Sequence, residues 1–246
     1  MNGLFITGTD TDAGKTAVAA LLLAELRLRN MKAIPMKPVQ TGCAEGSVPD
    51  LDYALSMAKI SVPSDTYRLM APYTFKPACS PHLAAERANT EIDLSEIVIA
   101  ARTLTQSDSF LLVEGAGGIM VPLNRRETML DLMNALKLPV LLVARPGLGT
   151  INHTLLSIRT LRSDGLDIAG VVFISTTDQP AGFIEQDNFK TIEQFGKVPV
   201  LGHIPYSPAL ALATTTPCFD DLPEPIPSKV KKIVDAIELN NVKSRP

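Results

Sequence analysis

The sequence predicts a single α/β domain over residues 1–246, in which a mostly parallel sheet is covered by helices on both faces. Short apolar runs alternate with longer amphipathic segments along the whole chain, as expected when strands and helices alternate. The apolar runs contain few polar residues, which is typical of parallel strands buried on both faces. A length of 246 residues and a hydrophobic content of 46% are sufficient for one large core.

In chain order, six strands are expected near residues 3–8, 33–38, 109–114, 138–144, 168–174 and 199–204. Eight helices are expected near residues 15–29, 50–59, 80–88, 94–106, 128–136, 150–163, 184–195 and 227–239. Asp164-Gly165 favours a helix end before the strand at Ile168. The segment from Asp220 to Pro227 contains three prolines and is interpreted as a surface connector. The tail over residues 240–246 is predicted to be disordered.

The composition excludes several functional classes. A net charge of −3 and a pI of about 5.7 do not favour a nucleic-acid surface. The longest apolar runs, such as Leu138 to Ala144, are too short to span a bilayer, and no leader with a basic and an apolar part precedes the first strand. The three cysteines are odd in number and lack metal-ligand spacing, which favours reduced thiols. We therefore expect a soluble cytoplasmic protein without nucleic-acid or membrane partners.

The segment from Gly8 to Thr16, between the first strand and the first helix, has the layout of a phosphate-binding loop. Glycines allow backbone N–H groups to converge on phosphate oxygens, and the helix N-terminus adds partial positive charge. Lys15 is expected on the β- and γ-phosphates and the Thr16 hydroxyl on Mg²⁺. Five residues rather than the usual four separate Gly8 from Gly14, and the alternative is an ordinary strand-to-helix turn. The loop makes the predicted fold P-loop NTPase-like and predicts a nucleoside triphosphate ligand.

Two further strand ends carry charged residues. Pro38 favours an extended Lys37, which directs its ammonium out of the sheet end towards the phosphate loop, although a lysine there is also typical of solvated surface. Glu114 ends an apolar strand and precedes Gly115 and Gly117. A carboxylate at this position is well placed to hold Mg²⁺, and the alternative is an exposed glutamate in a tight turn.

Two helix starts complete the candidate site. Asp50 and Asp52 open one helix, where acids are explained equally well by the helix dipole or, for Asp52, by Mg²⁺ binding. The turn from Gly147 to His153 offers free N–H groups that suit an anionic group such as a substrate carboxylate. A capped helix with a glycine-rich entry is the alternative there. His82, after Ser80-Pro81, is interpreted as structural.

Taken together, these residues resemble the dethiobiotin synthetase family. The matching segments run from Thr7 to Thr16, from Lys37 to Gly42, from Val113 to Gly118 and from Gly149 to His153. The family's phosphate loop also carries the extra residue. The similarity extends from Leu4 to about Pro208.

The resemblance implies a reaction. The family takes 7,8-diaminononanoate, CO₂ and MgATP and closes a ureido ring. One amine adds to CO₂ to give a carbamate, ATP phosphorylates the carbamate, and the second amine attacks the carbonyl carbon and expels phosphate. The implied partners are therefore these small molecules, and the implied assembly is a homodimer with the substrate site at the subunit interface.

The resemblance also implies roles for individual residues. Lys15 and Lys37 would stabilise the charge of the carbamate and the phosphoryl group, with Thr11 as a third catalytic residue. Thr16, Asp52 and Glu114 would hold Mg²⁺. Thr41 would contact the substrate near the carbamate, and the residues that would receive its carboxylate across the dimer interface are Gly149, Thr150, Ile151 and Asn152. The other residues implied to contact the nucleotide are Asp12, Ala13, Gly14, Ala17, Gly115, Ala116, Gly117, Ser175 and Pro205.

Two departures from the family pattern affect the nucleotide site. Ser175 stands where the family commonly has an asparagine that contacts the adenine edge, and one hydroxyl cannot make the paired contact of an amide. The preference for ATP over other triphosphates is therefore open. Asp12 replaces the more usual glutamate, so the reach of this carboxylate towards nucleotide or substrate is also open.

Two other functions share this architecture. A regulatory partner-switching ATPase usually carries a lysine early in the phosphate loop, where this chain has Thr9, Asp10 and Thr11. An amide-forming ligase related to cobyrinate amidation carries a glutaminase half, which is not found in this sequence. Both features favour the synthetase.

Overall fold

The computed structural model describes residues 1–106, 109–210 and 218–243, and the side chains of these residues as far as 237. Its strands are β1 (Gly3–Gly8), β2 (Ala33–Met36), β3 (Val39–Thr41), β4 (Tyr73–Phe75), β5 (Phe110–Gly118), β6 (Val140–Ala144), β7 (Ile168–Ile174) and β8 (Val200–Ile204). Six of them form one parallel sheet in the order β2-β5-β1-β6-β7-β8. The short strands β3 and β4 pair in parallel as a separate sheet.

The helices are α1 (Lys15–Leu28), α2 (Pro49–Met57), α3 (Ser64–Met70), α4 (Pro81–Arg87), α5 (Leu94–Leu104), α6 (Met129–Leu136), α7 (Thr150–Ser163), α8 (Phe183–Gly196) and α9 (Ile226–Lys243). Single 3₁₀ turns occupy Pro208–Leu210 and Phe219–Asp221. Within the described ranges, no helix has both the length and the apolar character needed to cross a membrane.

The sheet is covered on both faces because successive side chains of a buried strand point to opposite sides. On β1, Leu4 and Ile6 pack with α1 and α9, whereas Phe5 packs with α5 and α6 on the opposite face. At the other end of the sheet, Leu142 and Phe173 pack with α7 and α8. The predicted fold class, a parallel sheet between two helical layers, is confirmed.

The six main strands and eight predicted helices all form, and the differences are local. The strand predicted near 33–38 ends at Met36 because the Lys37 amide leaves the sheet and donates to Met70 O at 2.8 Å. The sequence did not predict α3 or the small sheet of β3 and β4. The helix α9 includes residues 240–243 of the predicted disordered tail, and residues 244–246 lie outside the described residues.

The parallel arrangement determines where a ligand can bind. The carboxyl ends of β1, β2, β5, β6 and β7 lie along one edge of the sheet. The phosphate loop, Lys37, Glu114, Arg145 and Ser175 lie at or just after these ends. This edge is where open α/β sheets bind ligands.

Candidate active site

The last residue of the loop between β1 and α1 has a backbone conformation and surroundings that require glycine. Gly14 has φ of 93° and directly precedes α1. A Cβ at this position would come within 2.4 Å of Ile174 Cγ2. The glycine therefore lets the helix N-terminus, with its unpaired N–H groups, approach the end of β7.

Lys15 lies over this loop, and its Nζ donates to Asp10 O at 2.9 Å. Burial, followed by the positive charge of Lys37, lowers the pKa of Lys15 to about 8. The ammonium is therefore still charged at pH 7. The nearby carboxylates do not fully offset its burial and its repulsion by Lys37. Such a group is stabilised by an anionic ligand.

Lys37 is the centre of a buried charged cluster. Its Nζ lies 2.7 Å from Asp50 Oδ2 and 2.8 Å from Glu114 Oε1, and it also donates to Gly115 O at 3.3 Å. Thr16 Oγ1 donates to the same Glu114 oxygen at 2.7 Å. Burial alone would lower the pKa of Lys37, but the carboxylates of Glu114 and Asp50 outweigh it and raise that pKa. The lysine is therefore an ammonium, as an ion-pair partner must be.

The register of the sheet explains why Lys37 and Glu114 meet. Met36 of β2 is paired with Val113 of β5, so the next residue of each strand lies beside the other. On the other side of β5, Glu114 is paired with Ile6, just before the phosphate loop. The predicted convergence of the phosphate loop, Lys37 and Glu114 is therefore present in the structure.

The acid that joins this cluster is Asp50 rather than Asp52. Residues two apart on a helix point roughly 200° apart, so only one of the two can face the cavity. Asp52 is exposed, accepts from the Tyr67 hydroxyl at 2.6 Å and lies 3.3 Å from both Ser47 Oγ and the Val48 amide. Asp52 thus contacts groups around the first turn of α2, as in the capping alternative, and Asp50 is the acid that pairs with Lys37.

The oxygen atoms of this cluster fit magnesium. A hydroxyl from Thr16 and carboxylates from Asp50 and Glu114 are the hard ligands that Mg²⁺ prefers, and Mg²⁺ usually binds through one or two carboxylates plus substrate phosphates. The described residues contain no group of three or more His, Cys, Asp or Glu side chains that could hold a metal ion by themselves. The donor set therefore suits a metal that arrives with a triphosphate.

A cavity of about 550 Å³ brings most of the predicted residues together. The predicted residues that line it are Thr11, Asp12, Gly14, Lys15, Thr16, Ala17, Lys37, Thr41, Glu114, Ala116, Gly117 and Ser175. Ala13, Asp52 and Pro205 are not among its lining residues, and Gly115 contributes through its carbonyl to Lys37. The lining residues not predicted from the sequence are Val39, Gln40, Asp50, Arg145, Ile174, Thr176, Tyr206, Ser207 and Leu210.

Some of the missed residues carried a usable signal. Arg145 directly follows β6, and a basic residue at the end of a parallel strand is placed like Lys37. Its Nη2 lies 3.5 Å from Asp10 Oδ2 in the phosphate loop. Tyr206 and Ser207 follow β8 in a segment without a charge or glycine pattern, so nothing in the sequence marked them.

The turn before α7 forms a second cavity of about 370 Å³ beside the first. Gly149 has φ of 88° and precedes the helix, and both Gly149 and Thr150 line this cavity. Asn152 is exposed, and Leu148 is 90% exposed. Ile151 and Asn152 do not line this cavity within the chain. The turn therefore presents part of its surface outward.

Comparison with known proteins identifies the family. A family model described as an AAA domain matches residues 2–214. The ATP-dependent dethiobiotin synthetase of Anaeromyxobacter dehalogenans is 44% identical over 176 residues, which cover 72% of this chain and 78% of that protein. The enzyme of the same name from Chromohalobacter salexigens is 41% identical over 228 residues, which cover 88% and 93% of the two chains.

Similar solved structures support the fold alone. The septum site-determining protein MinD from Pyrococcus horikoshii, solved with Mg-ADP, has a TM-score of 0.62 at 16% identity and full coverage of both chains. A ParA family ATPase from Chlorobium tepidum has a TM-score of 0.58 at 14% identity, with 97% and 99% coverage. The P-loop NTPase architecture is thus confirmed. The two dethiobiotin synthetases are 44% and 41% identical in sequence to this chain, whereas the two ATPases are 16% and 14% identical. The chain therefore belongs to the dethiobiotin synthetase family of ATP-dependent ligases.

Proposed function

We propose that this protein is a cytoplasmic enzyme that makes dethiobiotin from 7,8-diaminononanoate, CO₂ and MgATP and releases ADP and phosphate. The observation that carries this proposal is the presence of two lysines, Lys15 and Lys37, in one cavity beside the oxygen cluster of Thr16, Asp50 and Glu114. Transfer of a phosphoryl group to an anionic carbamate brings several negative charges together. Phosphoryl transfer depends mainly on positioning and charge neutralisation, which such a site supplies.

The reaction proceeds through two intermediates in this proposal. One amine of the substrate attacks CO₂ and loses a proton to give a carbamate. A carbamate oxygen attacks the γ-phosphorus of ATP, ADP leaves, and a carbamoyl phosphate anhydride remains. The second amine attacks the carbonyl carbon, loses a proton and expels phosphate, which closes the ring. Each amine must be neutral to attack, so the cavity must hold it close to an acceptor for its proton.

The chain's residues divide this work. Lys15, over the phosphate loop, is placed to neutralise the triphosphate, and Lys37 lines the same cavity as Thr41, the last residue of β3. Thr11 and Asp12 extend the loop side of the same cavity. Thr16, Asp50 and Glu114 would hold Mg²⁺, which when bound neutralises charge on the phosphates. The polar contacts that Lys37 makes within the described residues are all to oxygen acceptors. An anionic substrate would compete with these acceptors for the N–H donors of Lys37.

The homodimer is part of the proposal, and the turn before α7 supports it. Leu148 at the tip of the turn is 90% exposed, so the turn is accessible to a neighbouring subunit. Asn152 is exposed on the first turn of α7, where a helix N-terminus suits a carboxylate. We propose that this turn receives the substrate carboxylate in the site of a neighbouring subunit.

Product formation tests the function directly. With purified protein, Mg²⁺ and ATP, we expect phosphate release only when 7,8-diaminononanoate and bicarbonate are both present, with one dethiobiotin formed for each phosphate. Phosphate release is followed by a coupled assay and dethiobiotin by mass spectrometry. Hydrolysis of ATP that ignores the diamine and instead responds to a protein or membrane partner would identify a regulatory ATPase.

Replacement of Asn152 tests the carboxylate anchor. Asn152→Ala is expected to raise the KM for the diamine by a factor of about 5 to 150, which corresponds to about 1–3 kcal/mol for one lost hydrogen bond to a charged group. The KM for ATP should change little, because Asn152 does not line the main cavity. Steady-state kinetics with each substrate varied in turn distinguish the two effects. An equal rise in both KM values would contradict the assignment.

Mixing two defective variants tests whether the site is shared between subunits. In a heterodimer of Asn152→Ala and Lys15→Ala subunits, a shared site places both lesions in one site and none in the other. Such heterodimers should recover about half of the wild-type activity with a normal KM for the diamine. If mixtures with verified subunit exchange never recover this low-KM activity, each site lies within one subunit.

A further inference from the structure

The main cavity has a second end, away from Lys37, that is chemically different from the phosphate end. It is lined by Ile174, Ser175, Thr176, Tyr206, Ser207 and Leu210. The polar side chains in this set all carry hydroxyl groups. Arg145 also lines the cavity, but its guanidinium points to Asp10. In the function proposed above, the triphosphate binds at the phosphate loop. The less charged end of the cavity would then receive the nucleobase. The inference below rests on that placement.

Ser175 is held rigidly at this end and is paired with a histidine. Its amide donates to Ile204 O at 3.0 Å, and its Oγ lies 2.8 Å from His203 Nε2. The ring of His203 packs against Phe189 at a centroid distance of 5.4 Å, and Phe189 stacks on Phe173 at 4.3 Å. The aromatic packing fixes the imidazole, so the hydrogen bond between Ser175 and His203 is a defined feature of the cavity wall.

The surroundings of the histidine in this pair favour its neutral form. Burial, and next the positive charge of Lys229, lower the pKa of His203 below its usual range, against a smaller opposite effect of Glu185. A neutral imidazole has two tautomers, and Nε2 donates in one and accepts in the other. When Nε2 donates to Ser175 Oγ, the serine hydroxyl proton is free for a ligand. When Ser175 donates to Nε2, its oxygen lone pairs remain free to accept from a ligand.

We propose that the pair of Ser175 and His203 contacts the nucleobase as an exchangeable donor or acceptor, so that the protein takes ATP and GTP as co-substrates with similar efficiency. Adenine presents an amino donor at the position where guanine presents a carbonyl acceptor. The pair can satisfy either one by a change of tautomer, so neither base leaves the Ser175 hydroxyl unpaired. Strong rejection of a base requires a site with a fixed polar pattern that the wrong base leaves unpaired.

Direct binding tests this inference separately from the reaction. The probes are the β,γ-imido analogues of ATP and GTP with Mg²⁺, titrated calorimetrically into the wild-type protein at pH 8. We expect dissociation constants within about tenfold of each other, a ratio equivalent to 1.4 kcal/mol. A difference above a hundredfold would overturn the inference. Binding of both analogues without ring closure would support the inference and contradict only the proposed reaction, whereas binding of neither would overturn both.

Variants of His203 test the tautomer argument in two directions. His203→Glu offers only an acceptor, which leaves Ser175 to accept from the base and should favour the ATP analogue by about tenfold. His203→Lys offers only a donor and should favour the GTP analogue to a similar degree. His203→Gln offers both a donor and an acceptor and is the matched control, with a ratio close to that of the wild type. An equal shift in the same direction for all three variants would overturn the role of His203.

Variants of Ser175 keep the test decisive if a charged residue at position 203 impairs folding, which thermal unfolding reveals. Ser175→Asn presents a donor and an acceptor that match adenine, so it should shift the ratio by at least tenfold towards the ATP analogue. Ser175→Ala should weaken both analogues by similar factors. Ratios and affinities unchanged in both variants would mean that Ser175 does not contact the base.

Discussion

Replacement of Lys15 by alanine should lower kcat by a factor of about 10²–10³ without loss of the fold. Removal of one hydrogen-bond donor that stabilises developing negative charge costs about 3–4 kcal/mol of transition-state stabilisation. Among the described contacts, the lysine makes one hydrogen bond to the protein, to Asp10 O, so little structure depends on it. Single-turnover kinetics at pH 7 measure the effect, because the wild-type ammonium is still charged below its pKa of about 8.

The stability of this variant provides an independent check. The folded-state pKa of Lys15, about 8, lies below the ordinary value of 10.5, so the protonated lysine destabilises the fold. This penalty is fully present below pH 8 and disappears as the pH rises towards 10.5. At pH 7 the Lys15→Ala protein should therefore unfold at a temperature no lower than that of the wild type. Lys59→Ala, at an exposed lysine that pairs with Asp220, is the matched control and should keep normal turnover. Near-normal turnover of Lys15→Ala would refute the phosphate-loop assignment.

Replacement of Asp50 by asparagine should reduce kcat about a hundredfold and raise the Mg²⁺ concentration needed for half-maximal activity. Asp50 Oδ2 lies 2.7 Å from Lys37 Nζ, and the change to an amide removes one of the two carboxylates that would hold Mg²⁺. A hundredfold loss corresponds to about 2.7 kcal/mol. Titration of activity with Mg²⁺ at saturating ATP measures both effects.

Asp52→Asn is the matched control, since it removes the same charge two residues away. Its carboxylate contacts Tyr67, Ser47 and the Val48 amide outside the cavity. We expect kcat within about twofold of the wild type and a loss of stability of about 1 kcal/mol from a weakened hydrogen bond. The opposite result, a larger kinetic loss for Asp52→Asn, would return the metal-binding role to Asp52.

The elements that the sequence predicted are those with local signals. The phosphate loop depends on residues that are adjacent in the chain, and its glycine, Lys15 and Thr16 all lie where the motif places them. The six main strands are mostly apolar runs, and the positions of Lys37 and Glu114 at strand ends were enough to predict that they approach the loop. The strands β3 and β4 were missed because three residues are too few to show a period.

The tertiary structure decided what depends on the orientation of whole elements. The sequence places Asp50 and Asp52 on one helix, but the rotation of α2, with Leu51 and Leu55 buried in the core, determines that Asp50 faces Lys37. The contact between Ser175 and His203 joins residues 28 positions apart and exists only because β7 and β8 are paired in a register that sets Ile174 beside Ile204. Local patterns determine which groups are present, whereas packing and register determine which of them meet.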